Sequence, residues 1–157
     1  MYHGSEMSFI DFLNQVDTIL YGRKSYDLWG QFTPEIKVAD TEKEIWELVH
    51  SKEKYVFSRT QRTDNKAIFI NDNILEEVNK LKNKPGKDIW LYGGASLITT
   101  FINLGLVDEF RLSVHPVILG EGKPLFIGIK QRLNLKMVNT RTFSSGVVQL
   151  IYHLNEN

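Results

Sequence analysis

Three short segments combine small residues with cations or hydroxyls: Gly22-Arg23-Lys24-Ser25, Ser58-Arg59-Thr60 and Gly93-Gly94-Ala95-Ser96. Each follows an apolar run that reads as a buried strand. In an open α/β sheet, ligands sit beyond the carboxyl ends of the strands. The glycine pair stands at a strand-to-helix junction, where backbone N–H groups can approach a ligand closely. A helix N-terminus there offers unpaired donors and partial positive charge, which suits a pyrophosphate. Taken alone, Gly93-Gly94 reads more simply as a tight turn without ligand. Ser58-Arg59-Thr60 supplies two hydroxyls and a guanidinium, groups suited to a phosphate monoester; a solvated loop is the plain alternative. Gly22-Arg23-Lys24 adds a second cationic pair, or a solvent-facing turn. A diphosphate plus a separate phosphate is what a phosphorylated dinucleotide asks for, and the three segments together could meet it.

Other signals do not hold. Gly120-Glu121-Gly122-Lys123 resembles part of a phosphate loop, but position 117 is Val117 and Pro124 follows the lysine, so neither P-loop spacing nor its helix is available. No G-x-G-x-x-G occurs. His3, His50, His115 and His153 show no metal-ligand spacing and read as surface or strand residues, so no metal is expected. Ser144-Ser145-Gly146 lacks the nucleophile elbow and reads as a turn. Asp108-Glu109 opens a strand and reads as structural. No proton donor can be named.

The elements that must position these residues follow from periodicity. Phe9, Ile10, Leu13 and Val16 predict a helix over Ser5 to Asp17, with Ser5 as cap and Glu6 in its first turn. Thr18 to Gly22 reads as a strand, and Lys24 to Trp29 as a short helix ended by Gly30. Thr41 and Glu44 have capping-box spacing ahead of a helix to Ser51. Tyr55-Val56-Phe57 and Ala67 to Ile70 are strands. Asp72 opens a helix bearing Ile74, Leu75, Val78 and Leu81, which Lys84-Pro85-Gly86-Lys87 ends. Ile89 to Tyr92 is a buried-type strand, and a helix from Ala95 to Leu104 stops at Gly105. Phe110, Leu112 and Val114 alternate with polar residues, and Leu133 to Phe143 and Val147 to Leu154 flank a hairpin turn. Strands alternating with helices, then an antiparallel meander, predict an α/β sandwich whose mostly parallel sheet carries an antiparallel C-terminal edge.

Bulk properties agree. The chain has 157 residues, with 19 basic and 19 acidic side chains, and its length fits one domain over 1–157. Its 9 Phe, 6 Tyr and 3 Trp can fill a core. Zero net charge removes the electrostatic footprint of a nucleic-acid binder. With Cys 0, disulfides, thiol catalysis and thiolate metal sites are excluded. Apolar runs fall short of the roughly 18 residues of a membrane span, and no secretory leader is expected. A cytoplasmic protein is expected.

The blocks T-I-L-Y-G-R-K-S-Y (18–26), Y-V-F-S-R-T (55–60), I-W-L-Y-G-G-A-S-L (89–97), L-V-D-E-F (106–110) and V-I-L-G-E-G-K-P-L-F (117–126), in this order, resemble the dihydrofolate reductase-like superfamily. The resemblance is to the branch related to the C-terminal reductase domain of the bifunctional riboflavin-biosynthesis enzyme. It implies a three-layer α/β/α sandwich around a central mixed, mostly parallel sheet with antiparallel C-terminal strands, NADPH as cofactor and a homodimer. It places Gly22, Arg23, Lys24 and Ser25 along the cofactor, with Arg23 near the adenosine phosphate. Ser58, Arg59 and Thr60 would face the 2′-phosphate, and Gly93, Gly94, Ala95, Ser96 and Leu97 would cradle the pyrophosphate. Two departures accompany it. The family's usual first strand, with its Ser-Leu-Asp-Gly-like stretch, is expected to be missing ahead of the first helix. Tyr92 also stands where riboflavin-pathway reductases carry an acidic residue. An NADPH-dependent reductase of a small heterocyclic or sugar-linked substrate is therefore expected. A non-catalytic NADP(H)-binding or dimerisation module, and a phosphosugar or nucleotide binder using Arg23 and Arg59, are the rivals.

Overall fold

The computed structural model describes residues 3–33 and 39–155, with the side chains of the first helix described from residue 9 onward. Helix α1 (His3–Asn14) leads into β1 (Val16–Gly22). A short helical turn, α2 (Arg23–Ser25), widens into a π-type turn over Tyr26–Gly30. Then follow α3 (Asp40–Ser51), β2 (Glu53–Phe57), β3 (Ile68–Ile70), α4 (Ile74–Asn83), β4 (Asp88–Gly93) and α5 (Ala95–Asn103). The chain closes with β5 (Glu109–Val114), β6 (Leu135–Thr142) and β7 (Val148–Leu154).

The α/β class holds. Among the described residues the strands form a parallel sheet in the order β3-β2-β1-β4 and an antiparallel sheet in the order β5-β7-β6. The C-terminal strands are antiparallel as expected, but they pair with one another rather than extending the parallel sheet. Side chains of β4 and β5 both meet α1. The Phe12 ring is edge-on to Trp90 of β4 at 5.4 Å and carries the Arg111 guanidinium of β5 at 4.9 Å.

Alternation along β1 divides the core between two faces of the parallel sheet. Leu20 points to one side, where Tyr55, Phe57, Ile70, Val78, Leu97 and Phe101 pack beneath α4 and α5. Ile19 and Tyr21 point to the other, with Leu13, Tyr26, Val49 and Val56 beneath α1 and α3. Helices therefore cover both faces, giving three layers.

Several boundaries differ from the sequence reading, each for a local reason. The first helix begins at His3, so Ser5 lies within it rather than at its cap, and it ends at Asn14. Val16 and Asp17 belong to β1, where buried Val16 continues the strand's apolar run. Asp17 instead caps a turn across the sheet, accepting the Lys87 N–H at 2.8 Å. Thr41 is not the cap of α3, which starts at Asp40 after Ala39. Asn73, in the left-handed region at φ 53°, precedes α4, while Asp72 accepts the Asn73 N–H at 2.8 Å. Pro34 and the side chains of His3, Ser5 and Glu6 lie outside the described residues.

Candidate functional site

Sheet register brings the three phosphate-type segments together. Gly22 pairs with Phe57 of β2, and Tyr21 pairs with Gly93 of β4. Arg23, Ser58 and Gly94 are thus the residues that leave three adjacent parallel strands at the same end. This is the end at which open α/β sheets hold ligands.

Gly22 faces the glycine pair directly: a Cβ there would stand 3.4 Å from the Gly93 carbonyl oxygen and 3.4 Å from the Gly94 nitrogen. A Cβ on Gly94 would meet the Ser25 hydroxyl at 3.6 Å, so Ser25 lies over the second glycine. Gly93 has φ +125°, a conformation that side chains rarely adopt. The peptide between Gly93 and Gly94 is cis. Beyond it, α5 starts without a side-chain cap. The first intrahelical bond is the Ile98 N–H to the Gly94 carbonyl at 3.0 Å. The preceding N–H groups of Ala95, Ser96 and Leu97 have no helical acceptor of their own. Ala95 and Ser96 are exposed, whereas the Leu97 side chain is buried in the core and anchors the turn.

After β2, Ser58 is buried and its N–H bonds the Ile70 carbonyl at 3.0 Å. Its hydroxyl accepts the Thr60 N–H at 3.3 Å and lies 3.2 Å from the Thr60 hydroxyl. The loop is thereby folded back on itself, leaving Arg59 exposed. Lys24 is exposed beside Arg23.

Sequence reasoning missed the residues that join these segments. Asp27 lies between two guanidiniums: Arg62 Nη1 is 2.7 Å from Oδ1, and Arg23 Nη1 is 3.7 Å from Oδ2. Arg62 also approaches Asp64 at 3.8 Å and lies over the rings of Tyr26 and Phe69, 5.7 and 5.1 Å from their centroids. Burial alone would raise the Asp64 carboxyl. The Lys66 N–H, the Tyr26 hydroxyl, the Ala67 N–H and Arg62 outweigh it and hold the group below the ordinary carboxylate range. Tyr26 is fully buried, and its hydroxyl donates to Asp64 at 2.9 Å. Arg62 had a weak signal, lying two residues past the Ser-Arg-Thr triplet.

A tyrosine pair flanks the glycines on the α1 side. Tyr21 and Tyr92, one residue before Gly22 and Gly93, have ring centroids 5.0 Å apart. Burial raises both phenols, Tyr21 strongly, so both remain protonated donors near neutral pH. The Tyr21 hydroxyl is buried and unpartnered among the described residues.

The remaining titratable groups sit elsewhere. Glu109 accepts from Arg111 Nε at 2.9 Å and lies 3.0 Å from His153 Nε2 on the antiparallel sheet. Asp108 pairs with Lys82 at 2.8 Å. A cavity of about 370 Å³, lined by Ile102, Phe110, Phe126, Lys130, Arg132 and Leu135, opens at the end of α5 remote from Ala95. Among the described residues, no group of histidines and carboxylates is arranged to hold a metal ion. No helix there is long and apolar enough to cross a membrane.

The fold is that of the dihydrofolate reductase-like class. Residues 6–149 match the model of the RibD C-terminal domain, and the chain belongs to that family. The Bacillus subtilis (strain 168) protein YyaP is 81% identical over 151 residues, spanning 96% of this chain and 80% of YyaP. A solved structure from Shewanella sp. PV-4 superposes with a TM-score of 0.74 at 21% identity, covering 95% of this chain and 80% of its own. Dihydrofolate reductase from Enterococcus faecalis, solved with NADP(H), superposes with a TM-score of 0.65 at 14% identity, covering 98% of this chain and 83% of its own.

Proposed function

We propose that the protein is an NADPH-dependent reductase acting on a C=N or C=O bond of a small heterocyclic or sugar-linked substrate. The observation that carries this reading is the convergence of the three phosphate-type segments at one end of adjacent parallel strands. The contact between Gly22 and Gly93-Gly94 leaves a side-chain-free surface where backbone can approach a flat or anionic ligand.

The residues present fit the cofactor. The free N–H groups of Ala95, Ser96 and Leu97 would take the pyrophosphate, helped by the helix dipole. Arg23 and Arg59, with the Ser58 and Thr60 hydroxyls, would take the 2′-phosphate, and Lys24 and Ser25 would line the path between. Bound NADPH supplies the hydride. The chain's own part is orientation: Gly22 and Gly93 admit the ligand, Leu97 holds the turn to the core, and Tyr21 and Tyr92 shield the adjoining face from water. Membership in the RibD C-terminal domain family and the fold shared with a dihydrofolate reductase that binds NADP(H) support the reading.

Titration with NADPH and NADH, followed by quenching of tryptophan emission, tests it, because Trp90 lies just before the glycine pair. Saturable NADPH binding with much weaker NADH binding is expected, followed by NADPH oxidation with a member of a panel of dihydrofolate, pterin and riboflavin-pathway substrates. Absence of binding to either nucleotide would remove the reading.

A second reading is a non-catalytic NADP(H)-binding or dimerisation module. It is favoured by one observation: β4, which carries the glycine turn, has no strand on its outer side among the described residues. It predicts NADPH binding without turnover on the whole panel. In either reading we expect a cytoplasmic homodimer.

A further inference from the structure

Arg62 and Asp27 are not among the residues assigned to phosphate above, yet they control the charge beside Arg23. Asp27 is a partly exposed carboxylate four residues after Arg23 on the same helical turn. Left to itself, it would pair with Arg23 and place a negative charge where the 2′-phosphate is to sit. The two distances show which cation holds it. Arg62 bonds Asp27 at 2.7 Å, within normal charge-assisted hydrogen-bond range, while Arg23 stands off at 3.7 Å.

Arg62 is itself fixed from three sides. Asp64 approaches its second Nη nitrogen at 3.8 Å, and the Tyr26 and Phe69 rings lie against its guanidinium. Asp64 is in turn held by the N–H groups of Lys66 and Ala67, at 2.8 and 3.0 Å, and by the buried Tyr26 hydroxyl. The orientation of Arg62 is therefore set by the fold rather than by the ligand, whereas Arg23 is only loosely engaged.

We propose that Arg62 is a positioning residue for cofactor selectivity: it draws Asp27 aside and leaves Arg23 available to the 2′-phosphate of NADPH. The proposal rests on the reading of Arg23 as a 2′-phosphate contact. It predicts opposite effects for the two partners. Arg62→Met keeps the apolar stem over Tyr26 and Phe69 but releases Asp27, which then competes for Arg23 and repels the phosphate. Asp27→Asn removes the competitor. A purely structural role for the pair would make both substitutions harmful to both nucleotides.

The test is Kd for NADPH and NADH, by tryptophan quenching, in wild type, Arg62→Met, Asp27→Asn and the double variant, each at low and high salt. Arg62→Met is expected to weaken NADPH binding about three- to tenfold with NADH changed less than about twofold. Asp27→Asn alone is expected to tighten NADPH binding, and in the double variant to restore it to near the wild-type value. These differences should shrink as added salt screens the exposed charges. If Arg62→Met does not fold, Asp27→Asn alone decides, since its carboxylate is partly exposed and its loss buries no charge. A wild type that prefers NADPH, combined with an Asp27→Asn variant that binds it no better, overturns the proposal while leaving the assignment of Arg23 intact. A wild type with no preference for NADPH removes that assignment and the proposal with it.

Discussion

Gly93 shows how tightly single residues specify the site. At φ +125° it occupies backbone space that an L side chain enters only with strain, although a Cβ would meet nothing closer than the Ile98 Cδ1 at 3.8 Å. Gly93→Ala is therefore expected to cost about 1–3 kcal/mol from conformation rather than collision, read as a lower denaturation midpoint together with weaker NADPH binding. Arg59 makes the opposite case. It is exposed, and among the described residues it forms no ion pair with an acidic side chain. Arg59→Ala should leave the melting temperature unchanged and raise Kd for NADPH about tenfold, with NADH unaffected, as loss of one charge-assisted contact of about 1.5 kcal/mol predicts. A fall in stability with no change in selectivity would show Arg59 to be structural. At this scale the sequence was readable where a residue type carries its own constraint, as for the glycine pair and the Ser-Arg-Thr triplet. The Asp27–Arg62 pair was not, because 35 residues separate its members and only the fold makes them neighbours.

At the scale of elements, the segment bearing Arg23 is held by its far end. Gly30 closes the wide turn against the Tyr26 ring, and a Cβ there would stand 2.2 Å from Tyr26 Cδ1. Tyr26 is fully buried and cannot swing away, so Gly30→Ala is expected to destabilise the protein by about 1–3 kcal/mol through overpacking. Urea denaturation measures this, and NADPH affinity should fall with it, since the displaced ring carries the Asp64 bond. The same end is tied to α3 and β2. Lys54, a buried lysine of β2, donates to the Gly30 carbonyl at 2.5 Å and to His50 Nδ1 at 2.7 Å, and His50 Nε2 bonds the Phe32 carbonyl. Burial holds His50 below its usual value; Lys54 and Lys66 add to this, and the Phe32 carbonyl opposes it. The folded chain thus binds fewer protons at His50 than the unfolded chain. Stability present at neutral pH is therefore lost as pH falls below about 6.5. Denaturant midpoints at pH 7.5 and 5.5 should differ more in wild type than in His50→Gln; equal differences would exclude His50 as the cause. The lowered carboxyls of Asp17 and Asp64 act in a separate window, below about pH 4. Most of these elements were legible, because buried strands read as apolar runs and α4 and α5 show clear periodicity. The α1–β1 boundary was not, since Val16 satisfies the helical spacing of Phe9 and Leu13 and the strand alternation of Thr18 and Leu20 equally well.

At the scale of the molecule, the stretch after β5 is rich in exposed apolar side chains. Ile118 is 98% exposed and Leu119 74%, with Val117, Leu125, Phe126 and Ile127 also exposed. This stretch is nevertheless anchored. Thr99 donates its hydroxyl proton to the Ile127 carbonyl at 2.7 Å, Asn103 donates to the Gly128 carbonyl at 3.0 Å, and the Lys130 N–H donates to Asn103 Oδ1 at 3.0 Å. Polar groups of α5 thus hold the backbone while the apolar side chains face outward. Contiguous apolar surface of this kind marks an interaction site in soluble proteins. Sequence pattern alone did not reveal it, because the exposure of Val117, Ile118 and Leu119 is set by the fold and not by their apolar run. Nor could pattern show that β5 to β7 form their own sheet, since strand partnership is a non-local choice. The occupant expected on the apolar stretch is a second copy of the chain, and the test follows from size: a standard interface covers about 800 Å² per partner, so a few central side chains dominate it. Sedimentation velocity is expected to show a dimer at micromolar concentration for wild type and a monomer for Ile118→Glu, with near-unchanged circular dichroism because the side chain contributes little to the fold of one copy. A wild type that sediments as a monomer up to high concentration would eliminate the second copy as occupant. A dimer that survives Ile118→Glu would move the interface to another face.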